Sequence, residues 1–104
     1  MKTKEELNSA EFNDDLQPLV KLLKVKKANF TFKRHRGADP KLKELIGFYP
    51  TGEWQIVIND TYSVIRGMAS FGNYEIMNIG KGEKFAEPER FETPEELLEA
   101  LLVG

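Results

Sequence analysis

The chain has no cysteine, a single histidine and a single tryptophan in 104 residues. Without cysteine there is no disulfide, no thiol nucleophile and no thiolate metal site. The one histidine, His35, lies between Lys33-Arg34 and Arg36, and the nearest acid in sequence is Asp39. Cationic neighbours disfavour the imidazolium that a general base forms when it takes a proton, so His35 reads as a solvent-facing residue of a basic segment. No G-x-S-x-G elbow and no D-x-D-x-D-G calcium loop occur. Nor does any apolar run approach the ~18–20 residues that cross a bilayer. The opening Met1-Lys2-Thr3-Lys4-Glu5-Glu6 carries both charge signs with no apolar core after it, which argues against a secretory leader. The expectation is a soluble, cytoplasmic, non-catalytic protein with no metal and no cofactor.

Local motifs that mimic active-site chemistry have simpler readings. Asp14-Asp15 and Glu95-Glu96 are carboxylate pairs, but each stands where a helix begins, and the helix dipole and capping account for both. Gly80-Lys81-Gly82 resembles part of a phosphate loop, yet Glu83-Lys84-Phe85 follows in place of a Lys-Ser or Lys-Thr that opens a helix. It reads as a turn. An enzyme acting on a small molecule would instead need a deep pocket around His35 or Arg66.

What is present describes an ordinary folded domain. The chain is 40% hydrophobic and 31% charged, with seven Phe and three Tyr, a composition that can bury a core and does not favour disorder. The length suits one domain over residues 1–104. Charge is unevenly spread. Up to Gly52 eleven Lys and Arg stand against seven acids, whereas from Glu53 onward four stand against ten. From Val20 to Lys43 the imbalance is nine to one, Asp39 being the only acid. Such asymmetry can mark an anionic partner, or two ends of the chain that neutralise each other.

The period of the apolar residues supplies the elements. Trp54, Ile56 and Ile58 alternate along Glu53–Asn59, the cleanest strand pattern in the chain. A strand from Tyr62 to Phe71, a two-residue turn at Gly72-Asn73 and a strand from Tyr74 to Ile79 would follow. That register places Ala69, Phe71, Tyr74 and Ile76 on one face, with Arg66, Met68, Met77 and Ile79 on the other. Asn29–Lys33 reads as a first strand. Asp39 to Tyr49 fits two alternatives, a two-turn helix capped by Asp39 and ended by Gly47, or a helical turn at Pro40–Lys43 followed by a strand from Glu44. The second is preferred, because Pro50-Thr51-Gly52 makes a hairpin turn into Glu53. Glu83–Glu92 reads as polar and irregular.

Helices bracket the strands. Thr3 and Glu6 fit a short capping box. Leu16, Leu19, Val20 and Leu23 share one face of a helix that begins near Asp15, with Pro18 tolerated in its first turn. Thr93-Pro94-Glu95-Glu96 is a full helix start, and Leu97, Leu98, Leu101 and Leu102 form the stripe behind it. The order predicts an α+β fold: an antiparallel meander of four to five strands, with the N-terminal and C-terminal helices packed on its Trp54/Ile56/Ile58 face.

Two surfaces are candidates for binding. Arg66, Met68 and Met77 would form an anchor cluster for a protein partner, or for self-association, if the second sheet face is uncovered. The basic residues Lys21, Lys24, Lys27, Lys33, Arg34, His35 and Arg36, with Phe30 and Phe32 alternating into Arg34, resemble a surface that stacks and neutralises single-stranded nucleic acid. The overall pI near 5.5 lacks the basic footprint of a dedicated nucleic-acid binder. A protein partner is therefore the first expectation and nucleic acid the alternative.

Overall fold

A computed structural model describes residues 16–36, 39–47, 49 and 52–103. The capping box at Thr3–Glu6, the aspartates at 14 and 15 and the Pro50-Thr51 pair lie outside the described residues. The elements, in order, are α1 (Gln17–Val25), β1 (Phe30–Arg34), α2 (Pro40–Ile46), β2 (Trp54–Ile58), β3 (Tyr62–Arg66), β4 (Tyr74–Asn78), β5 (Glu89–Phe91) and α3 (Pro94–Leu102). The five strands pair in sequence order, every pair antiparallel. This is the expected meander.

The register fixes two faces, because side chains alternate along each strand. Phe30 opposes Ile58, Phe32 opposes Ile56 and Arg34 opposes Trp54. Ile56 opposes Val64, which opposes Ile76. Tyr74 opposes Phe91. This face meets the helices: Leu19, Val20 and Leu23 of α1 and Leu97 and Leu98 of α3 form one buried cluster with Ile56, Ile58, Val64, Tyr74 and Ile76. Beside it Phe85 sits edge-on between Tyr62 and Phe91, with ring centroids 5.9 and 6.3 Å away. The helix starts follow their sequences. In α3 the Thr93 hydroxyl accepts from the Glu96 N–H at 3.2 Å, and Pro94 occupies the first turn. The far end of α3 is tied by Lys84, whose ammonium donates to the Leu101 and Val103 carbonyls at 2.6 and 2.5 Å. A cation there also suits the negative end of the helix dipole.

Four expectations need correction. Asp39 to Gly47 is the helix of the other alternative: Asp39 accepts from the Lys41 N–H at 2.9 Å, and Gly47 closes α2 at φ 89°. No strand forms over Glu44–Ile46. Proline at the first position and glycine at the left-handed position outweigh the hairpin signal, and Gly52 merely closes a turn back to the Tyr49 carbonyl at 3.1 Å. Second, β3 ends at Arg66, not Phe71. Met68–Ser70 is a 3-10 turn, and Phe71 takes φ 55° in place of a two-residue hairpin at Gly72-Asn73. Ser70 holds this seven-residue connection. Its hydroxyl accepts from Gly67 N–H at 3.1 Å and lies 3.0 and 2.7 Å from the Gly67 and Asn73 carbonyls. Third, the nominally irregular Glu83–Glu92 contains β5, paired to β4 from Glu89 to Phe91. Fourth, Trp54 and Leu102 are not core residues, for they remain 49% and 71% exposed.

Candidate interaction surface

The helices cover only part of the sheet. On the face they cover, the end formed by Phe32, Arg34 and Trp54 is left open, with Phe32 47% and Trp54 49% exposed. Sequence alternation assigned Trp54 to the core, and no local signal marks the place where helix cover ends. Phe30 and Phe32 meet edge to face, centroids 6.0 Å apart. Arg34, across the ladder from Trp54, is held from two sides. Its guanidinium donates to the Tyr49 hydroxyl at 3.1 Å and lies 3.7 Å from the Glu53 carboxylate. Tyr49 is buried and in turn carries the Lys43 ammonium 5.0 Å from its ring centre. The α2 excursion therefore builds a brace behind Arg34.

None of the buried helix residues of α1 and α3 belongs with the opposite face, since their cluster takes only even-numbered residues of β2, β3 and β4. The register of that face runs Thr31, Val57, Ser63, Met77 across four strands, with Lys33 opposing Gln55. A groove of about 530 Å³ lies here, walled by Lys33, His35 and Arg36 on one side and Met77 and Ile79 on the other. The Ser63 hydroxyl donates to Gln55 Oε1 at 2.8 Å on its floor. Burial pushes the His35 pKa below its usual value, and the carboxylate of Glu75 opposes that shift in part.

The expected sites come apart on this framework. Arg66 pairs with Tyr74 and so shares the helix-covered face, whereas Met77 pairs with Ser63 on the other. Met68 sits in the β3–β4 turn. The three do not form one cluster, because β3 stops before the residues that the longer strand would have placed beside Met77. Arg66 is moreover engaged locally: it donates to the Gly72 carbonyl at 2.7 Å and the Tyr74 hydroxyl at 2.9 Å, stacked 4.3 Å from the ring centre. The basic set divides as well. Lys33, Arg34, His35 and Arg36 gather around one groove, while Lys27 lines a separate cleft with Tyr62 and Leu101. Lys27 stands in the turn after α1, at φ 54°, before β1 begins. Lys21 and Lys24 lie exposed on α1. The acidic segment does not neutralise the basic one through the ion pairs Arg34–Glu53 and Arg90–Glu75, since neither joins Glu83–Glu99 to Lys21–Arg36.

Among the described residues no group of three or more His, Asp or Glu is placed to hold a metal ion, and no helix is long and apolar enough to cross a membrane. Comparison with family models, with curated proteins and with solved structures finds no match.

Proposed function

We propose that this chain is a small cytosolic, non-catalytic interaction domain that binds another protein through the open end of the sheet at Phe32, Arg34 and Trp54. The observation that carries the reading is the pair of half-exposed aromatics beside an arginine already fixed by Tyr49 and Glu53. Tryptophan and arginine dominate interface hot spots, and a side chain held before binding loses less entropy when a partner arrives. Nucleic acid is the second reading, supported by the four basic residues around the groove behind β1. It is the weaker one, because Lys27 lines a separate cleft and Glu53 offsets Arg34.

Two experiments separate the readings. Capture from lysate with the wild-type chain and with a Phe32→Ala/Trp54→Ala double variant, followed by direct titration of any protein that distinguishes them, tests the first. A partner that binds wild type directly and loses affinity for the folded double variant supports it; equal binding to both removes the patch from the interface. Oligonucleotide titration tests the second. Steep weakening with salt, at a log–log slope of about −0.7 per phosphate neutralised on single strands, would put nucleic acid first.

A further inference from the structure

We infer that the free edge of β1 takes an extended, acidic segment of another protein as a sixth strand of the sheet. This rests on the protein-binding reading above and narrows it to one mode and one partner chemistry. The main chain supplies the first argument. Asn59 N–H donates to the Asn29 carbonyl and His35 N–H to the Glu53 carbonyl, both at 2.8 Å. Odd-numbered positions of β1 therefore turn their amides and carbonyls to β2. In an antiparallel ladder the intervening residues turn theirs the other way. The N–H and C=O groups of Phe30, Phe32 and Arg34 thus point outward, where no strand pairs with β1 among the described residues.

An open edge of this kind is a template for another strand, and folded proteins commonly blunt it with proline, a bulge or a very short strand. Here Phe30–Arg34 contains no proline and pairs with β2 in unbroken register over all five residues. The opposite edge strand, β5, has only three residues.

Side chains select the occupant. On an added strand, alternate residues fall beside Phe30 and Phe32 on one face, next to an Arg34 already held by Tyr49 and Glu53, and beside Thr31 and Lys33 on the other, where Arg36 lines the same groove as Lys33. Apolar residues suit the first row and carboxylates the second. A second copy of this chain fits poorly. Two β1 edges paired antiparallel about Phe32 would set their two Lys33 side chains diagonally across the new ladder, and neither β1 holds a carboxylate to offset them, while β1 against β5 of another copy is a heterologous contact that builds an open chain.

The test is an anisotropy titration of the full chain with a fluorescein-labelled peptide of alternating valine and glutamate, against a valine–lysine peptide. Two further glutamate peptides carry N-methyl groups, one on the valines and one on the glutamates. Strand addition uses the amides of one parity only. One methylated peptide is expected to weaken about ten-fold or more, the loss of one or two main-chain hydrogen bonds, while the other binds as the parent does. Lys33→Glu should weaken the parent peptide, and the valine–lysine peptide should fail.

Equal tolerance or equal loss for the two methylated peptides overturns strand addition and leaves the broader reading standing. Equal binding of the lysine peptide, or no binding of the glutamate peptide to folded protein at low salt, overturns the acidic occupant. Concentration-dependent self-association in sedimentation, altered by Lys33→Glu, would give the edge to a second copy and also overturn the inference. The broader reading fails by itself if capture and direct titration show no dependence on Phe32 and Trp54.

Discussion

Replacing Trp54 by alanine should cost far less stability than a buried aromatic normally does, and less than truncating its neighbour Ile56. Trp54 is 49% exposed and Ile56 fully buried, although both belong to one strand and one face. A tryptophan buries up to ~200 Å² or more, so about half of that, ~100 Å², is available to lose here. At ~25 cal/mol per Å² this is about 2.5 kcal/mol, reduced to about 2 once a realistic unfolded chain is the reference. No sealed cavity follows, because solvent already reaches the ring. Ile56→Ala removes about three carbons worth ~0.8 kcal/mol each and leaves a closed void. With ~24 cal/mol per Å³ for some ~70 Å³ of void, its cost is about 4 kcal/mol. In a domain of this size the difference of about 2 kcal/mol corresponds to roughly 8–16 °C in Tm. Urea and thermal unfolding followed by circular dichroism will measure both variants. The wild-type emission maximum provides an independent check, since Trp54 is the only tryptophan. Equal destabilisation by the two substitutions, with a blue-shifted wild-type emission, would refute the reasoning, place Trp54 in the core and take the anchor from the proposed interface.

Three other outcomes are expected. Burial lowers the His35 pKa, with Glu75 opposing, so the unfolded chain binds that proton more readily. Stability is complete above the ordinary histidine pKa and falls as pH drops below it, and His35→Gln should flatten this dependence in urea midpoints taken between about pH 7.5 and 5.5; an unchanged slope would count against it. Ser70→Ala leaves the Gly67 N–H without its side-chain acceptor and should cost about 1–3 kcal/mol in urea unfolding. Thr93→Ala, which deletes the cap on Glu96 N–H, should cost about 1 kcal/mol, checked by the same unfolding assay.

Elements whose start or stop is written in a few adjacent residues were legible in the sequence. Thr93-Pro94 gave α3, Asp39-Pro40 with Gly47 offered α2, and the alternation at Ile56 and Ile58 gave the central strand. Misread elements depend on distant contacts. β5 is three residues of mixed charge, and only pairing to β4 makes it a strand. The connection after β3 forms because Ser70 gathers Gly67 and Asn73. A strand reading extended to Phe71 therefore put Met68 in a strand and Arg66 on the face opposite Tyr74, because the assumed two-residue turn sets the register.

The candidate surface was half legible for a related reason. Alternation correctly places Phe30, Phe32 and Arg34 on one side of β1 and Thr31 and Lys33 on the other. It cannot say how much of a face the helices cover. A nine-residue helix such as α1 or α3 is about 13.5 Å long, whereas a five-residue strand spans about 17 Å. Even laid along the strands, each helix falls short of the sheet by about one residue. The buried cluster takes Ile56, Ile58, Val64 and Ile76 and leaves out Trp54. The α2 excursion, through Tyr49, braces Arg34 at that end without covering Trp54 or Phe32. In this chain these aromatics flank the one five-residue strand that has a free edge among the described residues, so apolar contact and unpaired main chain are offered side by side.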